Sequence, residues 1–230
     1  MSVLTGESER VFLPGMGLHW LLPLYDPLTR LLGVDRSRRT LLDQAVLRPG
    51  DRVLDVGCGT GSLAIGIQQR NPEVQVVGVD PDTKALARAR RKAERARVSI
   101  QFDRGFADAL AYPDGSFDLG VSSFMLHHLE REGKRGMLRE IRRVLKPGGR
   151  FHLVDFGDVS SRSSGSTIHR LHDNAEDRVL ACMNEVGLAD ARIVGSRSLL
   201  GGLLPVVYYQ AASPTAKLEG AERSDLQNRK

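Results

Sequence analysis

The stretch Val53-Leu54-Asp55-Val56-Gly57-Cys58-Gly59-Thr60-Gly61 decides how this chain is read. An apolar run holding one acid, followed by glycines at alternate positions, reads as a buried strand that ends in a tight turn. A helix over residues 61–69 follows, so its positive N-terminal end points at the same turn. Glycine has no Cβ, which lets backbone N–H groups come close to a small ligand there. The expected ligand carries a carboxylate or a phosphate.

Outward from the turn, a second strand over 74–79 ends in Asp80. An acid at that place can accept hydrogen bonds from both hydroxyls of a ribose. The glycines are spaced G-x-G-x-G rather than the G-x-G-x-x-G of dinucleotide-binding turns, which argues against a nicotinamide oxidoreductase. Asp55, Gly57, Gly59, Gly61 and Asp80 thus outline a nucleoside pocket beside an anion-favouring turn. Strands and helices keep alternating: a helix over 83–97, strands over 98–102 and 117–123, a helix near 133–145 and a strand over 150–156. Such alternation implies right-handed crossovers and a parallel sheet with helices on both faces. Ligands of these sheets lie beyond the carboxyl ends of the strands, where Gly57, Asp80, Asp108 and Ser122 fall. Upstream, Asp35 or Ser37 is expected to cap a helix reaching about residue 47, stopped by Pro49-Gly50. Downstream, the polar segment 158–166 reads as a mobile loop and candidate lid. A helix over 174–186 then precedes two runs, 191–196 and 204–210, that could close as a hairpin around Gly201-Gly202.

These residues resemble the class I S-adenosylmethionine-dependent methyltransferases, in the broad small-molecule branch that includes quinone-biosynthesis methyltransferases. The glycine turn is similar to that family's first motif and Val77-Gly78-Val79-Asp80 to its second. Gly105-Phe106-Ala107-Asp108-Ala109 resembles the segment that sets a carboxylate on the adenine amine. Ser116-Phe117-Asp118-Leu119 resembles the entry to the fourth strand, and Arg143-Val144-Leu145-Lys146-Pro147-Gly148-Gly149 the turn before the fifth. The likeness covers about residues 35–156. It implies an α/β fold with a doubly wound, seven-stranded sheet, mostly parallel, with an antiparallel last strand. It also implies S-adenosyl-L-methionine as cofactor. Gly57, Cys58, Gly59 and Gly61 would then surround its amino-acid end, with Asp55 holding the turn and, through water, the ammonium. Asp80 would take the ribose hydroxyls, with Pro81 beside it, and Asp108 the adenine amine, with Ala109 beside it. Ser122 completes this set at the end of the fourth strand. Methyl transfer is an in-line displacement driven by the cofactor, so the protein aligns the partners and, where needed, removes a proton. His127 and His128 follow the fourth strand and face the pocket mouth, and His128 matches a position where the family often carries histidine. Imidazole suits proton removal near neutrality. His19, Tyr25, His169 and His172 are the remaining candidates.

At 230 residues the chain suits one domain. Residues 1–34 are expected to cover the active site, 35–212 to form the methyltransferase domain and 213–230 to be a flexible tail. Cys58 and Cys182 fit no metal-ligand pattern, so no metal is expected, and a reduced, cytoplasmic protein is the default. The first ten residues are polar and show no signal peptide. The apolar stretch 18–25 is too short to span a bilayer and is broken by Pro23, with Pro27 just beyond. It is expected to pack over the domain, a membrane-surface or oligomer contact being the alternative. The net charge is +5, much of it on the helix over 83–97, with Lys84, Arg88, Arg90, Arg91, Lys92, Arg95 and Arg97. That helix reads as a solvated face whose buried side is Ala85, Leu86, Ala89, Ala93 and Ala96. A nucleic-acid partner, hence an RNA methyltransferase, is the alternative, and a non-catalytic cofactor-binding partner subunit is another. The fourth strand is followed by no Pro-Pro-Tyr or Pro-Pro-Phe motif, no cysteine and no paired glutamates on a hairpin. Those absences argue against nucleobase amines, pyrimidine carbons and arginine, and two cysteines are too few for arsenic. The expected acceptor is a small, partly apolar molecule. The methylated atom and the oligomeric state are left open.

Overall fold

The first strands are nearly unbroken apolar runs because helices cover both faces of the sheet they form. The structure, a computed structural model, describes residues 33–157, 176–200 and 203–215. The segment before residue 33, the candidate lid, His19, Tyr25, His169, His172 and the tail beyond 215 lie outside the described residues. β1 (Arg52–Val56) runs at the centre, parallel to β2 (Gln75–Asp80) on one side and β4 (Phe117–Ser123) on the other. β3 (Gln101–Arg104) pairs with β2 and β5 (Leu145–Phe156) with β4, all parallel. β6 (Ala189–Leu199) and β7 (Leu204–Ala212) finish the sheet as an antiparallel hairpin, with β7 also antiparallel to β5. The resulting order, β3-β2-β1-β4-β5-β7-β6, is the seven-stranded α/β arrangement expected from the sequence.

Among the described residues five helices pack on it: α1 (Val34–Gln44), α2 (Ser62–Arg70), α3 (Thr83–Ala96), α4 (Arg131–Val144) and α5 (Glu176–Glu185). On one face Leu41, Ile67 and Leu86 meet Val53, Leu119 and Tyr208. On the other, Leu138, Ile141 and Met183 meet Leu54, Phe117 and Phe151. The helix after β1 therefore leaves to one face and the helix after β4 to the other. That parting opens a crevice at the carboxyl ends of β1 and β4. No described helix is long and apolar enough to cross a membrane.

Three local expectations are corrected. α1 is not capped by Asp35 or Ser37: Gly33, at φ 79°, holds the N-cap, and Ser37 is buried in the helix. The third strand starts at Gln101 rather than Val98, because residues 97–98 close the end of α3. Arg97 takes the left-handed conformation at φ 56°, and the Val98 N–H bonds back to Ala93 O at 3.1 Å. Ser213, expected to begin a tail, is buried and exchanges hydrogen bonds with Gly148 and Gly149 at the start of β5.

Candidate active site

The glycine turn spends its own donors. The N–H groups of Gly57 and Cys58 both donate to Val79 O, at 2.9 and 3.1 Å, and the Gly61 N–H donates to Cys58 O at 2.8 Å. The Gly59 N–H donates to Asp80 Oδ2 at 2.8 Å, while Asp80 Oδ1 accepts from the Asp82 N–H at 2.9 Å. The expectation that these amides wait for a ligand is therefore corrected: they tie the first strand's turn to the second strand's end. Burial raises the Asp80 carboxyl above its ordinary value, and the two backbone donors pull it back. Each of its oxygens keeps a lone pair for a ligand hydroxyl.

The three glycines have different reasons to be glycine. Gly57, at φ 70°, lies under Met125, whose Cγ would be 2.2 Å from a Cβ placed there. Gly61 lets α2 approach α3, since a Cβ would meet that of Ala89 at 2.9 Å. Around Gly59 nothing stands within 4 Å of the Cβ position, so this is the turn's open side. Cys58 turns its thiol to Gly78 in β2, where burial and the Asp55 and Asp80 carboxylates raise it well above its ordinary value. It is a packing residue at this turn, not a nucleophile.

Asp55 is 1% exposed, and neither carboxylate oxygen has a hydrogen-bond partner. Burial pushes it up to about 7, against the weaker pull of the Arg38 guanidinium and of the Ala64 N–H in the first turn of α2, which acts on the carboxylate without meeting hydrogen-bond geometry. A buried acid without partners beside an open turn fits a ligand that brings its own positive charge. Ser122, at the end of β4, is fully buried and donates its hydroxyl to Val56 O at 2.8 Å, which fastens β4 to β1 below the crevice.

Past β4 the chain bends sharply at Phe124, whose φ is 54°. The following short 3₁₀ turn, Leu126–His128, lays Met125 over Gly57 and brings His127 to the end of β5. There His127 Nδ1 lies 2.7 Å from Asp155 Oδ1. The His127 backbone N–H donates to Asp155 Oδ2 at 3.3 Å, and the Phe156 N–H to Oδ1 at 2.7 Å. Burial alone would raise the Asp155 carboxyl, but His127 and these donors more than offset it and hold it below its ordinary value. With Nδ1–H bonded to a carboxylate, Nε2 is the nitrogen left to accept a proton. The His127 ring meets that of His128 at a 40° tilt with centroids 4.0 Å apart, and that of Phe156 edge-on at 4.9 Å. Asp155 was missed in the sequence. Its signal is an acid inside the buried run Phe151-His152-Leu153-Val154-Asp155-Phe156.

Asp108 and Ala109 are exposed, on a turn closed by the Phe106–Ala109 bridge, with Asp108 Cβ against Gly136 of α4. Pro81 is half-buried between Asp80 and the α3 cap Asp82, whose carboxylate accepts from the Lys84 and Ala85 N–H groups. Of the basic residues on α3, two are bonded to neighbouring elements. Arg90 bonds Phe102 O, and Lys92 reaches Thr60 Oγ1 and Ser62 Oγ at 3.2 and 2.8 Å.

A family profile described as a methyltransferase domain matches residues 53–149. The demethylmenaquinone methyltransferase of Deinococcus radiodurans is 38% identical over 167 residues, covering 71% of this chain and 68% of that one. That of Thermus thermophilus is 41% identical, covering 59% and 62%. The 27-O-demethylrifamycin SV methyltransferase of Amycolatopsis mediterranei is 42% identical over 48% of this chain and 40% of its own. The chain thus spans less than two thirds of the last two. Among solved structures, the [4+2]-cyclase SpnF aligns with a TM-score of 0.67 at 21% identity, over 79% of this chain and 82% of that one. The phosphoethanolamine N-methyltransferase 2 of Haemonchus contortus, in complex with S-adenosyl-L-methionine, gives 0.62 at 18%, over 78% and 53%. At such identities these two speak for the fold alone. The Deinococcus likeness, together with the ordered motifs from Asp55 to Gly149, shows that the chain belongs to the class I S-adenosylmethionine-dependent methyltransferases, in the branch of the quinone-biosynthesis enzymes, with S-adenosyl-L-methionine as its cofactor.

Proposed function

We propose that this chain methylates a small aromatic acceptor of the quinol type, with His127 as the base that removes a hydroxyl proton. The observation that carries this reading is the 2.7 Å contact between His127 Nδ1 and the buried Asp155 carboxylate beside the crevice. The acceptor class is supported by the names of the relatives, which act on demethylmenaquinone or on a demethylated rifamycin. When bound, S-adenosyl-L-methionine supplies an electrophilic methyl group whose sulfur departs as a neutral thioether. The rest falls to the chain's own residues. Asp80 would hold the ribose hydroxyls through its second lone pairs, Asp108 would take the adenine amine, and Asp55 would carry the counter-charge for the ammonium. His127 Nε2 takes the acceptor's hydroxyl proton, which makes that oxygen and its conjugated ring carbons electron-rich. Asp155 fixes the tautomer and stabilises the imidazolium that forms. A cytoplasmic setting belongs to the same reading and accords with the free thiols of Cys58 and Cys182.

The test is methyl transfer to a 1,4-naphthoquinol lacking its ring methyl, kept reduced, with His127→Gln and Asp155→Asn beside the wild type. The expected loss in kcat is about 10²-fold or more for His127→Gln. Affinity for S-adenosylhomocysteine should stay unchanged in both variants. Full activity in His127→Gln, or no transfer to any quinol, would overturn the proposal.

A further inference from the structure

An amino-acid ligand brings a carboxylate as well as an ammonium to this site, and four of the turn's own donors are already spent. The N–H groups of Gly57, Cys58, Gly59 and Gly61 are bonded within the protein. The first turn of α2 faces Asp55, whose own charge repels a second carboxylate there. The anion therefore needs a cation on another side of Asp55.

Arg38 supplies one. It comes from α1, and its side chain is only 11% exposed. Its Nε donates to Ser123 Oγ, at the end of β4, at 3.4 Å, and its Nη1 to Asp35 Oδ1 at 3.2 Å. Both contacts are long for charge-assisted bonds. A guanidinium has five N–H groups, and the remainder find no acceptor among the described residues. Enclosing a cation with unfilled donors is costly unless an anion joins it. Its charge also reaches Asp55, so it lies at the ends of both β1 and β4, where the crevice opens. The other cation at the turn, Lys92, is committed to Thr60 and Ser62.

We propose that Arg38 anchors the carboxylate of the cofactor's amino-acid end, between Asp55 and Ser123. The planar fork of arginine suits a carboxylate, which can take two parallel N–H bonds from it. The proposal rests on the cofactor assignment and extends it to a helix upstream of the segment matched by the methyltransferase profile. A ligand's ammonium then faces Asp55 and its carboxylate faces Arg38, which orients the amino-acid end by charge alone.

Calorimetric titration with S-adenosylhomocysteine and with the same molecule lacking its carboxylate tests this without turnover. Wild type should bind the decarboxylated ligand more weakly by at least about tenfold. Arg38→Gln should bind S-adenosylhomocysteine more weakly by a similar factor, yet the decarboxylated ligand within about twofold of wild type, and Arg38→Lys should fall between. Equal affinity of wild type for the two ligands overturns the proposal even if Arg38→Gln does not fold. Equal weakening of both ligands by Arg38→Gln overturns it too, as does carboxylate sensitivity that disappears in Lys92→Gln instead. A wild type that binds neither ligand rejects the cofactor assignment itself, so the two failures are told apart.

Discussion

Replacing Asp55 with asparagine should stabilise the ligand-free protein at neutral pH while weakening the site. The carboxyl is buried without a hydrogen-bond partner, and its folded value is pushed up from 3.8 to about 7. A folded value above the unfolded one means that the folded state holds the proton more tightly. The stabilisation from that proton is complete below the unfolded value and is lost as pH rises through about 7. At about 1.4 kcal/mol per unit, the loss comes to about 4 kcal/mol by pH 8. Asparagine keeps the shape and never ionises, so it escapes this loss. Its buried amide hydrogens lack acceptors, which takes back about 1–2 kcal/mol. Urea unfolding of the ligand-free proteins should therefore show Asp55→Asn ahead by about 2–3 kcal/mol at pH 8, with the advantage gone at pH 4. Binding should respond in the opposite sense. A ligand ammonium beside Asp55 favours the ionised form, so wild type should release protons on binding near pH 6, and the variant should release fewer and bind less tightly. Calorimetry in buffers of different ionisation enthalpy reads that difference. A variant less stable than wild type at pH 8 would show that the carboxylate is well paired, and the reasoning would fail.

The glycines of the turn should separate stability from binding. Gly57→Ala meets both a positive φ and Met125, and should cost about 2 kcal/mol or more in urea unfolding. Gly59→Ala faces open space and should cost only about 1 kcal/mol, yet lose affinity for S-adenosylhomocysteine by calorimetry; the reverse ranking would contradict the open-side assignment. His152 is 1% exposed with both ring nitrogens unpartnered, and burial, then Arg150 and Arg192, bring it down to about 4. The unfolded chain thus takes a proton that the folded one refuses. Wild type should lose about 3 kcal/mol from this group as pH falls from 6.5 to 4, and His152→Leu should not.

Most of the fold was legible because the parallel strands announce themselves. Val53-Leu54-Asp55-Val56, Val76-Val77-Gly78-Val79 and Phe117-Asp118-Leu119-Gly120-Val121 can only be strands buried between helices, and their ends place Gly57, Asp80 and Ser122 at the crevice. The third strand was misplaced because Val98 and Ile100 are apolar for a different reason: they pack under the end of α3 on the way to Gln101. Residue types also fixed the glycine turn, but not the destination of its amides, which depends on the register that sets Val79 O beside Gly57. Asp155 and Arg38 stayed hidden for one reason in two forms. The partner of Asp155 lies 28 residues away and that of Arg38 lies 85 away, and only the ordering of β4 beside β5, and of α1 over β4, brings them together. A charge inside an apolar run signals that a partner exists without saying where.

Asp55 and His152 bear on each other although they lie on strands separated by β4. Between pH 7 and pH 4 the folded state gains about 3 kcal/mol from the proton on Asp55 and loses about 3 kcal/mol from the proton that His152 refuses. The two trends nearly cancel. An acid titration of the wild type would look almost flat over that range and suggest that nothing buried titrates. Each single variant should expose the other's slope, downward on acidification for Asp55→Asn and upward for His152→Leu, while the pair restores flatness if the sites act independently. On the proposed binding role of Asp55, its cost falls on the ligand-free protein and is relieved when a cation arrives. His152 has no such relief: its burden stays with the fold, whether or not the crevice is filled.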